Sequence, residues 1–185
     1  FTSIMIDCSS LDFKDNVIRT KEIVKMAHAC NVTVEAELGH VGMGEDYEKI
    51  DTELSDLFTV PDEAKKFVEF TGVDSLAIAV GTAHGEYKGV PKLDFDRIGE
   101  IADIVDVPLV LHGGSGTGDE ALARCIKLGI SKVNICTDLM NAASESVGRE
   151  ISDKLYGDIS LIEQKAVEEC LTHYLNLFGS SNKSK

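Results

Sequence analysis

Short apolar or β-branched runs recur at residues 2–6, 33–37, 75–80, 109–111 and 132–135, each continuous rather than alternating. Continuous runs of this kind belong to strands covered on both faces, as the strands of parallel sheets are. Between them the apolar spacing turns helical: residues 16–29 with Val17, Ile18, Ile23, Val24 and Ala27, then 61–70, 95–104 and 119–128. Helix starts are marked by Pro61, Asp62 and Glu63 after Thr59 and by Asp119 and Glu120, and Gly72 and Gly129 stand where left-handed caps form. Two further amphipathic stretches, 139–155 and 159–178, precede a polar tail at 179–185. The order strand, helix, strand, helix predicts an α/β fold with a parallel sheet, in a single domain over residues 1–178.

Two architectures compete, an open doubly wound sheet and a closed eight-stranded barrel. Each predicted strand ends in polar residues: Asp7 with Ser9 and Ser10; Glu35 and Glu37; Thr82 and His84; His112 with residues 113–116; Asn134 with Thr137 and Asp138. An open sheet binds ligand at one switch point between two strands, whereas a barrel uses all its strand-to-helix loops. Five equipped strand ends favour the (β/α)8 barrel.

Composition narrows the function. A net charge of −14 with no cluster of lysines speaks against nucleic acid, whose phosphate backbone requires a basic surface. No apolar run approaches the roughly 20 residues of a membrane helix. Five cysteines, scattered without CxxC spacing, suggest neither a disulfide framework nor a thiolate zinc site, and a reducing cytoplasm fits them best. The chain opens at Phe1 directly on a strand-like segment, whereas a natural N-terminus is usually polar and frayed, so the sequence reads as beginning inside a fold.

His84, in GTAHG at 81–85, and His112, in LHGGSG at 111–116, lie just past apolar strands in equivalent positions and can share one metal ion. A polar residue satisfied within its own loop is the competing reading of each. Catalytic zinc usually takes three protein ligands, and His28, His40 and His173 do not sit at another predicted strand end, so one ligand is missing. Gly113, Gly114, Ser115 and Gly116 adjoin Asn134, Ile135, Cys136 and Thr137 on the next loop, and backbone N–H groups from both can hold a phosphate without net positive charge. A tight turn alone is the plainer alternative. Lys88 offers a positive contact to an anionic substrate or is simply solvated. The glycine-rich segment 39–46, which carries Glu45 and Asp46, has the composition of a lid, or of an ordinary surface loop.

Taken in order, MIDCS at 5–9, EAELG at 35–39, GTAHGEYKG at 81–89, LVLHGGSG at 109–116 and KVNICTD at 132–138 resemble the class II, zinc-dependent fructose- and tagatose-bisphosphate aldolases. The resemblance spans nearly the whole chain and implies a TIM barrel of which this chain supplies roughly strands 4–8 and the C-terminal helices. It implies reversible cleavage of a ketose 1,6-bisphosphate to two triose phosphates, with Zn2+ on His84 and His112. The third ligand and the aspartate base would lie on an Asp-His pair upstream of Phe1. By the same resemblance Asp7 and Glu37 orient the ligands or hold an alternative ion, and Glu45 transfers the proton at the enediolate. Gly85, Gly113 to Ser115 and Asn134 to Thr137 take the dihydroxyacetone-phosphate portion, sometimes beside Na+ or K+. Cys136 departs from the Asp, Asn or Ala found there in several members. A homo-oligomer follows from kinship. The alternative is a non-catalytic phosphosugar-binding or assembly subunit, and the sequence does not choose between fructose and tagatose.

Overall fold

A computed structural model describes residues 1–44, 57–152 and 154–183. Five strands, β1 (Ser3–Ile6), β2 (Thr33–Leu38), β4 (Ser75–Ile78), β6 (Leu109–Leu111) and β7 (Ile130–Val133), form one parallel sheet in the order β1-β2-β4-β6-β7. Two very short strands, β3 (Gly42–Met43) and β5 (Ala83–His84), pair in parallel just past the ends of β2 and β4.

Helices α1 (Phe13–His28), α2 (Pro61–Thr71), α3 (Phe95–Ile104) and α4 (Asp119–Lys127) connect the strands. In α1 the buried stripe is Asn16, Thr20, Val24 and Ala27, the three- and four-residue spacing that keeps one face on the sheet. Asp12 caps its first turn through the Asp15 N–H, and Lys25 and His28 lie in its last turn, opposite the negative end of the helix dipole. Helix α2 begins on Pro61, whose missing N–H costs nothing at a first position, and ends on Gly72 at φ +72°. Its cap is Val60; Thr59 instead uses its hydroxyl to join the Leu38 carbonyl to the Ala79 N–H.

The sheet has two unlike faces. Val34, Ala36, Leu38, Leu76, Ile78, Leu109, Leu111 and Ile130 point to the helices and pack against Val24, Phe67, Ile98, Ile101, Leu122 and Cys125. The other face carries Glu35, Glu37, Ala77, Val110 and Lys132, adjacent in the strand registers. Strand β2 therefore alternates strictly, although the chain as a whole reads as continuous apolar runs. Glu35 on β2 and Lys132 on β7 are three strand spacings apart, roughly 14 Å in a flat sheet, where side chains stand perpendicular and would not meet. Their atoms are 2.7 Å apart, so the sheet is curled with this face concave.

The last strand lies two residues earlier than the 132–135 expected. It starts directly after Gly129 closes α4, and a register irregularity beside Leu109 and Val110 slips the pairing so that Val110 faces Lys132. Asn134 still donates to the Leu111 carbonyl at 2.9 Å, which extends the strand-like appearance of the segment. Helices α5 (Thr137–Glu150) and α6 (Tyr156–Leu177) pack on one another, and only Ala166 and Tyr174 of α6 are buried. Among the described residues no helix is long and apolar enough to cross a membrane.

Candidate active site

The C-terminal ends of the strands gather most of the chemistry expected of them. His84 and His112 lie with ring centroids 5.7 Å apart at 62°, edge to face. His112 is 5% exposed and held between two carboxylates: Nε2 is 3.0 Å from Glu35 Oε1, and Nδ1 is 3.4 Å from Glu37 Oε2. Lys132 donates to the other oxygen of Glu35. Burial alone would push the Glu35 carboxyl up, but the bonds from His112 and Lys132 more than offset it and hold the group below the usual range. Glu37 moves the opposite way, raised first by burial and then by the charge of Asp7, against the opposing N–H of Val41. His84 is lowered, chiefly by burial and then by His112, which keeps its imidazole in the neutral form that binds metals.

The two imidazoles suit a divalent ion such as zinc, and Glu37 and Asp7 stand at their margin. Among the described residues no group of three or more His, Cys, Asp or Glu side chains converges tightly enough to hold a metal.

Next to the histidines, the loops after β6 and β7 are bound together. Ser115, 5% exposed, accepts the N–H groups of Cys136 (3.0 Å) and Asp138 (3.3 Å) on its hydroxyl oxygen. Gly114 donates to the Asn134 carbonyl at 3.1 Å, and Gly116 to Asp138 Oδ2 at 3.0 Å. Tyr174 of α6 also donates to Asp138 Oδ2; burial, then this bond, raises its phenol. The N–H groups of Gly114, Gly116, Asn134 and Cys136, which the sequence offers to a phosphate, are therefore engaged within the protein. Gly113, at φ +66°, passes so close to the preceding loop that a Cβ there would sit 2.2 Å from the Ala83 carbonyl oxygen. A cavity of about 320 Å³ opens beside these loops, lined by Gly85, Tyr87, Ser115, Gly116 and Thr137 among others, and α5 begins at its wall. A larger one of about 540 Å³, between Val90 and the start of α4, contains none of the strand-end residues.

Some expectations do not converge here. Lys88 is exposed and absent from the cavity lining, although its N–H donates to the Gly44 carbonyl at 3.2 Å. Glu45 lies outside the described residues. His40, set aside in the sequence as away from any strand end, stands two residues past β2, with Nδ1 3.3 Å from Ser9 Oγ, and adds to the lowering of His84. The ExE spacing and the short step from Leu38 were the available signals for Glu35 and His40. Nothing in the pattern singled out Lys132 as the partner of Glu35, or Tyr87.

Residues 1–183 match the family model described as fructose-bisphosphate aldolase class II. Among solved structures the chain is similar to the YdjI aldolase from Escherichia coli K12, at 40% identity and TM-score 0.87, covering 100% of this chain and 64% of that one. It is also similar to a Coccidioides immitis protein provisionally assigned as a fructose-1,6-biphosphate aldolase, at 30% identity and TM-score 0.86, covering 98% and 64%. The fructose-bisphosphate aldolase of Campylobacter jejuni, at 24% identity and TM-score 0.78 over 100% and 62%, shares the fold. The chain thus spans somewhat under two thirds of these proteins. With a family model matched across almost its entire length, this chain belongs to the class II fructose-bisphosphate aldolase family.

Proposed function

We propose that the whole protein is a zinc-dependent aldolase that reversibly cleaves a ketose 1,6-bisphosphate, fructose or tagatose, to dihydroxyacetone phosphate and glyceraldehyde 3-phosphate. The observation that carries this reading is the pair of imidazoles, His84 in β5 and His112 just past β6, beside a loop junction built on Gly113 to Ser115. The curled sheet is read as the later part of a (β/α)8 barrel, with this site at its mouth.

The residues fit the metal in donor type, supplying two imidazole ligands of the three that a catalytic zinc site usually has. On His112, Nε2 is turned to Glu35 at hydrogen-bond distance while Nδ1 has only a long contact with Glu37. This arrangement assigns the proton to Nε2, donated to Glu35, and leaves Nδ1 for the metal, as in the carboxylate–histidine pairs that orient metal ligands. When bound, zinc supplies Lewis-acid polarisation of the ketose carbonyl. Asp7 and Glu37 orient the ligands or hold an alternative ion. Ser115, Gly113, Gly114 and the segment Asn134, Ile135, Cys136 and Thr137 surround a substrate phosphate at the first turn of α5, where the helix dipole and the N–H groups other than those of Gly114, Asn134 and Cys136 favour an anion. Gly85 borders the same cavity, and Glu45 moves the proton at the nucleophilic carbon.

The test is triose-phosphate release from fructose and tagatose 1,6-bisphosphate by the full-length protein, before and after chelation and zinc re-addition. Cleavage that chelation abolishes and zinc restores is expected. Phosphosugar binding without cleavage by the zinc-loaded protein would instead favour a binding subunit.

A further inference from the structure

We propose that Tyr87 is a positioning residue whose hydroxyl fixes the separation of the two histidine-bearing loops; the inference rests on the reading of His84 and His112 as metal ligands. Strands β4 and β6 pair in register at Leu76 with Leu109 and at Ala77 with Val110, and this register stops before either histidine. The spacing of the imidazoles is therefore set beyond the ladder, by whatever joins the loops. The Tyr87 phenol oxygen accepts the Ala83 N–H at 2.7 Å and donates to the Gly113 carbonyl at 2.9 Å. Ala83 immediately precedes His84, and Gly113 immediately follows His112.

A tyrosine hydroxyl carries one proton and can accept as well, so one oxygen satisfies both backbone groups. A phenylalanine in its place would leave the Ala83 N–H without this acceptor in a half-buried setting, at a desolvation cost, and the Gly113 carbonyl with only the longer bond from the Thr117 hydroxyl at 3.3 Å. Gly113 is the other half of the device: its lack of a Cβ is what allows the two loops to approach within reach of one hydroxyl. The ring edge of Tyr87 also lies under Gly116, where an added Cβ would sit 3.2 Å from Cδ2, so the same side chain braces the histidine pair and borders the cavity beside it. Tyr87 touches neither imidazole in these contacts; it acts on the metal site through the backbone.

The experiment titrates full-length wild type, Tyr87→Phe and His112→Ala with Co2+, following the visible absorption band that reports its coordination. Wild type should bind tightly and His112→Ala should lose that binding. Tyr87→Phe should bind roughly 10- to 100-fold more weakly with an altered band, the range seen when an outer partner of a metal ligand is removed, while far-UV dichroism stays unchanged. A Tyr87→Phe protein with wild-type affinity and band overturns the proposal. Absence of Co2+ binding in wild type, or equal binding by His112→Ala, overturns the metal reading and the strut with it. Should Tyr87→Phe not fold, hydrogen exchange of the Ala83 amide in wild type decides: slow exchange supports the bond, and exchange as fast as an open loop overturns it.

Discussion

Replacing Lys132 by methionine keeps most of the stem and removes the ammonium 2.7 Å from Glu35. The Glu35 side chain is only 7% exposed, so it loses its ammonium partner in a site that water barely reaches. Breaking a fully buried pair costs roughly 3–5 kcal/mol, and an exposed pair contributes about 0–1 kcal/mol. Lys132 is 53% exposed and His112 still donates to Glu35, so solvent screening and the remaining bond bring the expectation down to about 1–2 kcal/mol. The cost has a pH signature. In the wild type the Glu35 pKa is depressed below 4.5, so its contribution is present above that value and fades as pH falls through the folded pKa. Without Lys132 one source of that depression is gone while burial still opposes ionisation. The stability gap between the two proteins should therefore be widest near neutral pH and narrow below pH about 4.5 as Glu35 becomes protonated in both.

Urea unfolding of wild type, Lys132→Met, Glu35→Gln and the double variant, each at neutral and acidic pH, measures the gap and the coupling between the two positions. A coupling below about 0.3 kcal/mol at neutral pH, or a gap that does not change with pH, would show that the loss comes from packing and refute the electrostatic account.

Gly113→Ala should destabilise the protein by about 2 kcal/mol or more, because a left-handed φ costs roughly 1–2 kcal/mol and the new methyl would meet the Ala83 backbone; thermal melting checks it, and a wild-type melt would contradict the close approach. Cys125, fully buried with its thiol pushed up to about 11 by burial, should resist a thiol reagent at pH 8 in the folded chain while exposed Cys30 and Cys136 react, and labelling should become complete only in denaturant.

The secondary structure was legible where one local rule dominated. Pro61 and Gly72 bracket α2 because each fixes its own backbone angle, and the helix at Phe95–Ile104 begins where Asp94 can accept from the Arg97 N–H. Strand β7 was misplaced because Ile135 is as apolar as Ile130, and the register slip beside Val110 that selects the earlier segment is a property of two strands. The pairing of β3 with β5 escaped for a related reason: two-residue strands carry no period, and they form only when loops from β2 and β4 are brought side by side.

The site divides along the same line. His84, His112 and the glycines announce themselves because each sits at a strand end, a one-dimensional property. Their partners do not. Glu35 and Lys132 are 97 positions apart and three strand spacings apart in the sheet, and they meet only because the sheet is curled. The dependence also runs the other way. A carboxylate buried on the concave face is driven toward protonation, as Glu37 is by burial and then by the charge of Asp7, unless curvature delivers cations and N–H donors to it. Glu35, which receives both His112 and Lys132, stays ionised, whereas Glu37, with a long contact to His112 and Asp7 nearby, does not gain the same protection. Two glutamates two positions apart on the same strand thus acquire opposite electrostatic characters: one held ionised by His112 and Lys132 as the acceptor that orients His112, the other raised by burial and by Asp7.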